Sequence, residues 1–155
     1  MNIESFIKTE NKIPVRKKAI INLLFTHGWI MDKINLELKN HDISIQQFNV
    51  LRILNGQKGK PANLSTIQER MVTKMSNTTR LVDKLIQKGY TTRTICPSNR
   101  RKVEITITQK GTEFLNIVSP IMDDFENKIT SNLTEEDLDQ LNIFLDQLRN
   151  QNFNS

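Results

Sequence analysis

Residues 76–90 read Ser76-Asn77-Thr78-Thr79-Arg80-Leu81-Val82-Asp83-Lys84-Leu85-Ile86-Gln87-Lys88-Gly89-Tyr90. Thr78, Leu81, Val82 and Leu85 fall at helical spacing, so one face of a helix is apolar enough to bury. Gly89 supplies the stop, because glycine tolerates the left-handed backbone that ends helices. With that face inward, the wheel turns Ser76, Asn77, Thr79, Arg80, Asp83 and Lys84 outward. These are mostly hydrogen-bonding and cationic side chains. An ordinary solvated helix would also look this way if Arg80 and Lys84 paired with acids such as Asp83.

The flanks give the helix its context. Upstream, Ser65 is a cap for a short helix carrying Ile67 and Met71, with a brief turn near Val72 and Thr73. Before that, Ser44 and Gln47 form a capping-box pattern for a helix to Asn55, with Phe48, Leu51 and Leu54 inward. Gly56, Gly59 and Pro61 end it. Downstream, Tyr90 to Ile95 and Lys102 to Thr108 are β-rich, and the second stretch alternates Val103, Ile105 and Ile107 with polar residues. Cys96-Pro97-Ser98-Asn99-Arg100-Arg101 joins them as a hairpin with a basic tip.

Long helices bracket this core after a polar start. One has Pro14 in its first turn and runs to about Asn40, with Ile20, Leu23, Leu24, Phe25, Trp29, Ile30 and Met31 giving it a face wide enough to pack on two sides. Another begins near Thr108, with Pro120 placed to bend it. In the last, Thr134 is the cap, Glu135, Glu136 and Asp137 sit at the positive end of the helix dipole, and Leu138, Leu141, Leu145 and Leu148 form a seam. The expected fold is mainly α with a small β-hairpin wing, a winged helix-turn-helix flanked by long dimerisation helices.

That order places the helix around Arg80 in a major groove. Arg pairs bidentately with guanine and Asn with adenine, while Ser, Thr and Lys suit phosphate or mixed contacts. The charge distribution agrees. Residues 58–110 carry 12 Lys/Arg against 3 Asp/Glu, or +9, whereas residues 111–155 carry 2 against 9, or −7. A basic block inside a structured segment is the footprint of phosphate binding. Arg100 and Arg101 at the hairpin tip have the reach for a narrow minor groove. Ser65 and Thr66 begin the first helix of the pair, where free N–H groups favour a phosphate oxygen. With Lys74 in the turn, the candidate DNA-binding set is Ser65, Thr66, Lys74, Ser76, Asn77, Thr79, Arg80, Lys84, Arg100 and Arg101.

Other classes fare poorly. The single cysteine, Cys96, excludes an intrachain disulfide or a cysteine metal cluster, and His27 and His41 lack ligand-like spacing, so no metal or cofactor is expected. Nucleic-acid catalysis needs convergent carboxylates, but Glu69, Asp83 and Glu104 sit on different elements. The start has no basic and apolar signal pattern, and no apolar run is long enough to span a membrane, so a soluble cytoplasmic protein is expected. A winged-helix protein-interaction module keeps the fold but has little use for the +9 segment; salt-dependent binding to duplex DNA separates the two readings.

The stretches SIQQFNVLRIL (44–54), STIQERM (65–71) and SNTTRLVDKLIQKGY (76–90), with Pro97-Ser98-Asn99-Arg100-Arg101 and Thr108-Gln109-Lys110-Gly111, resemble the MarR family, the bacterial multiple-antibiotic-resistance regulators. The resemblance implies a homodimer in which region 1–43 and region 109–155 interlace. Module 44–108 of each subunit would then take half of a pseudo-palindromic operator. It also implies repression relieved by a small ligand, held between the dimerisation helices and the winged module and drawing on His27, Trp29, Met31 and Phe48. Two positions depart from the family. Asn99 stands where an Asp commonly braces the wing arginine matching Arg101, which weakens that brace. Lys74 stands where a Ser or Thr cap is usual, leaving Thr73 to cap. Some relatives sense peroxide with a cysteine near the start of the first helix; Cys96 lies at the wing tip instead, so sensing of that type is not expected here.

Overall fold

Ser44 and Gln47 close their capping box: the Ser44 hydroxyl accepts from the Gln47 amide at 3.2 Å, and the Gln47 side chain accepts from the Ser44 N–H at 3.1 Å. This computed structural model describes residues 2–96 and 99–150, excluding the side chains of 96 and 99–102. The chain forms two compact units, Met1–Val118 and Ser119–Ser155.

In the first unit a short helix α1 (Ile3–Phe6) precedes the long α2 (Val15–Leu38) and a 3-10 turn (Lys39–His41). There follow α3 (Ile45–Asn55), α4 (Leu64–Arg70), α5 (Thr78–Gln87), β1 (Thr91–Cys96) and β2 (Asn99–Ile107). Helix α6 (Gln109–Thr130) runs on across the boundary, and α7 (Glu135–Arg149) lies in the second unit. The fold is mainly helical with a two-stranded antiparallel wing, as the pattern implied.

The core of the module is the inward face of α3 against α4, α5 and β2. Val50, Leu51, Ile67, Val82, Leu85 and Ile105 are fully buried there. The wing keeps antiparallel register from Thr91↔Ile107 to Ile95↔Val103, with an irregularity between Ile95 and Cys96. Ala62, just ahead of α4, exchanges two backbone hydrogen bonds with Ile105, at 2.9 and 2.8 Å, which tie the start of the helix pair to β2.

Several boundaries differ from the expectation. The polar start holds α1, capped by Asn2, with Ile3 buried; four residues are too few to show a period. Pro14 is the cap of α2 and not a first-turn residue. Asn63, not Ser65, caps α4, its Oδ1 accepting from the Thr66 amide at 2.8 Å and from the Ser65 hydroxyl at 2.6 Å. Asn77, not Thr73, caps α5, accepting from the Arg80 amide at 3.1 Å. Asn equals Ser as a cap, and local spacing alone does not decide between nearby candidates. Strand β2 starts at Asn99 where alternation suggested Lys102, because a run of basic residues carries no period-two signal. Pro120 lies inside α6, which continues through it. Thr134 caps α7 through a box with Asp137.

The junction from α5 through the wing to α6 is tight. Tyr90 stacks on Phe114 with centroids 4.4 Å apart, and Thr108 donates to the Gly89 carbonyl at 2.7 Å. Gly111 lies so close that a Cβ there would meet the Tyr90 carbonyl oxygen at 2.2 Å and Ile107 Cγ1 at 2.9 Å. Backbone cannot yield as a flexible side chain can, so Gly111→Ala is expected to cost roughly 2–3 kcal/mol. Chemical denaturation of the variant checks this, and an unchanged midpoint would remove the close contact.

Candidate nucleic-acid interface

Helix α5 is seated by one face. Thr78, Val82 and Leu85 are buried, and the Thr78 hydroxyl donates to the Gln68 side chain of α4. Thr79, Arg80 and Lys84 stand exposed on the other side. Asp83 does not neutralise them: it pairs with Arg93 of β1 at 2.8 Å. Among the described residues no ion pair engages Arg80 or Lys84. The solvated-helix alternative, in which Asp83 takes up those charges, therefore lacks its partner.

The turn between α4 and α5 is held by side chains. Gln68 Nε2 donates to the Lys74 carbonyl at 2.5 Å, Lys74 Nζ donates to the Glu69 carbonyl at 2.5 Å, and the Ser76 amide donates to the Thr73 carbonyl at 3.1 Å. Lys74 is thus folded back along α4 while its residue stays exposed. Ser76 and Asn77 precede the helix rather than lying on it. Ser76 Oγ is buried and finds no hydrogen-bond partner among the described residues. Asn77 Oδ1 is committed to capping, which leaves its NH2 group to face outward. Ser76, Asn77, Arg80 and Lys84 line one recess of about 450 Å3, together with Met75.

The other candidates are less concentrated. At the start of α4, Ser65 is exposed and Thr66 half-buried, and the Thr66 amide already serves Asn63. Arg100 and Arg101 lie on β2, but their side chains, like those of Cys96 and Asn99, fall outside the described residues, as do Pro97 and Ser98. The wing-tip contact and the weakened Asn99 brace rest on sequence alone. Spacing gave no hint of the Arg93–Asp83 pair, which spans two elements, or of Gln68 as the organiser of the turn.

A MarR family model matches residues 43–103. The transcriptional regulator MhqR of Bacillus subtilis is 30% identical over 122 residues, covering 79% of this chain and 83% of its own length. The chain belongs to the MarR family of transcriptional regulators. YkoM, an uncharacterized regulator of the same organism, is 31% identical over 69% of this chain and 68% of its own. In fold, this MarR chain is similar to an organohalide-sensing transcriptional regulator solved with 2,4-dichlorophenol bound, at TM-score 0.82 and 19% identity, covering 92% of this chain and 86% of that one. The relatives and the fold are those of regulators, not enzymes.

Of the four residues considered for an effector, Trp29 lies on a recess formed by the described residues of this MarR chain. Trp29 lines a recess of about 330 Å3 with Ile3, Phe6, Asn22, Phe25 and Thr26. His27 is exposed and Met31 half-buried on α2, while Phe48 is buried in the core of the module. A larger recess, of about 620 Å3, lies where the end of α2 meets α5 and is lined by Asn35, Lys39, Asp42, Lys84 and Lys88 among others. Among the described residues no group of His, Cys, Asp and Glu is placed to hold a metal ion, and no helix is long and apolar enough to cross a membrane.

Lys88, at the end of α5, pairs with Asp42 Oδ2 at 2.5 Å and also donates to the Asp42 carbonyl. The Lys88 hydrogen bond, and its charge second, hold the Asp42 carboxyl below its ordinary value. A carboxyl lowered by folding stabilises the fold above its unfolded pKa, and that contribution fades as pH falls through the folded value. Lys88→Met is therefore expected to lower Tm at neutral pH, with the gap to the parent protein closing once pH falls below about 4. Thermal unfolding between pH 7 and pH 3 checks this; a gap independent of pH would mean that the Asp42 carboxylate is not its source.

Proposed function

We propose that this regulator is a homodimeric repressor that binds a pseudo-palindromic operator through α5 and the wing and leaves it when a small molecule binds. The observation that carries this reading is the one-sided burial of α5, which leaves Arg80 and Lys84 exposed while Asp83 is held by Arg93. With residues 58–110 at +9, the module suits a polyanion.

Dimerisation is supported by apolar side chains left open to solvent: Ile20, Leu24, Phe25, Trp29 and Leu36 on α2, and Leu141, Ile143, Phe144 and Leu148 on α7. Exposed apolar surface on this scale marks an interaction face. Regions 1–43 and 109–155 would supply the dimer and region 44–108 the reading head, in the cytoplasm where the operator lies.

Arg80→Ala tests the central contact. It should cost roughly 1–3 kcal/mol on the cognate operator, measured by direct titration, and less on random duplex. Equal losses on both would make Arg80 a phosphate contact only. Duplex binding that does not weaken with salt would favour the protein-interaction module.

For the effector, the Trp29 recess is the more apolar site, and planar aromatic ligands fit small recesses lined by aromatic rings. Trp29 is the only tryptophan, so its emission reports the surroundings of this one side chain, at a protein concentration held constant so that dimerisation does not change. Titration with 2,4-dichlorophenol should shift that emission saturably and weaken operator binding over the same concentrations. A flat titration would remove Trp29 from the effector reading.

A further inference from the structure

Met75 is 95% exposed, the most open of the large apolar side chains among the described residues. It sits in the turn between α4 and α5, flanked by Lys74 and Ser76. Single exposed apolar residues are common and need no explanation by themselves. Met75 differs in its setting. It lines the same recess as Ser76, Asn77, Arg80 and Lys84, which places it beside the exposed cations of α5. Its backbone is not loose, because the residues on either side are pinned: the Lys74 carbonyl by Gln68, the Ser76 amide by Thr73. A hydrogen-bonded turn thus presents an apolar side chain at the surface proposed to meet DNA.

Only one base offers an apolar group in the major groove, namely thymine with its C5-methyl. Methionine, unbranched and polarisable, conforms to such a group without a fixed geometry. We propose that Met75 is a specificity-determining residue that reads a thymine in each half-site by contact with its 5-methyl group. The inference rests on the DNA-binding reading above and adds a base contact outside the helix to which Arg80 belongs.

The test uses the full chain and the operator recovered by selection from random duplexes. Each thymine of one half-site, and its symmetry mate, is replaced in turn by deoxyuridine, which keeps Watson–Crick pairing and loses only the methyl. With the parent protein, one position should weaken binding by about fourfold per half-site, the worth of one buried methyl-sized group. With Met75→Ala, affinity for the thymine operator should fall, and the deoxyuridine effect at that position should vanish. Because Met75 is exposed, the variant should keep the parent's Tm, which separates a lost contact from a lost fold. Equal deoxyuridine effects in both proteins, or none at any position, would overturn the Met75 contact while leaving DNA binding intact. If selection recovers no operator at all, the DNA-binding reading falls and this inference falls with it.

Discussion

Burial of Thr78, Val82 and Leu85 against α3 and α4 is the constraint on which the rest of the module depends. A ten-residue helix has little stability of its own in water, so α5 exists because its apolar stripe is covered. That stripe also fixes its rotation: with Val82 and Leu85 fully buried, Arg80 and Lys84 have nowhere to point but outward. Packing and recognition are two sides of one requirement. A polar residue at Val82 or Leu85 would unseat the helix and lose the reading face together.

Three polar links hold the surroundings of α5 in place. Gln68 fastens the preceding turn through Lys74 and Thr78. Asp83 and Arg93 tie α5 to β1. Lys88 and Asp42 tie the end of α5 to the turn that follows α2. Exposed ion pairs contribute little to stability, and these are partly exposed. Their value is positional: each joins α5 to a neighbouring element and so helps to set its orientation. The Lys88–Asp42 link also lines the recess at the end of α2.

What was legible in the sequence was what local periodicity and capping chemistry determine. The Ser44–Gln47 box, the Thr134 cap, the β2 alternation and the Thr78, Val82 and Leu85 positions of the α5 stripe appear where spacing placed them, whereas Leu81 is only half-buried and the return bond of Asp137 to Thr134 was not read. The caps at Asn63 and Asn77 were missed because Ser65 and Thr73, two and four residues away, also carry capping chemistry. Contacts between distant segments left no trace at all. Asp42 and Lys88 are 46 residues apart, and the Ala62–Ile105 bridge joins a loop to a strand. Of the site, the basic exposed face of α5 was readable; the diversion of Asp83 to Arg93, which leaves that face unneutralised, was not. The four residues drawn together by family resemblance as an effector set are spread between an α2 surface and a buried core, with Trp29 alone on an apolar recess.

In the proposed function, two copies of this chain read DNA sequence together. Selection of sites from random duplexes, with the mass of the resulting complex measured at moderate salt, tests it most directly. The expected result is an inverted repeat with half-sites about one helical turn apart, bound by two chains. Recovery of no sequence preference, with a single chain in solution, would contradict it.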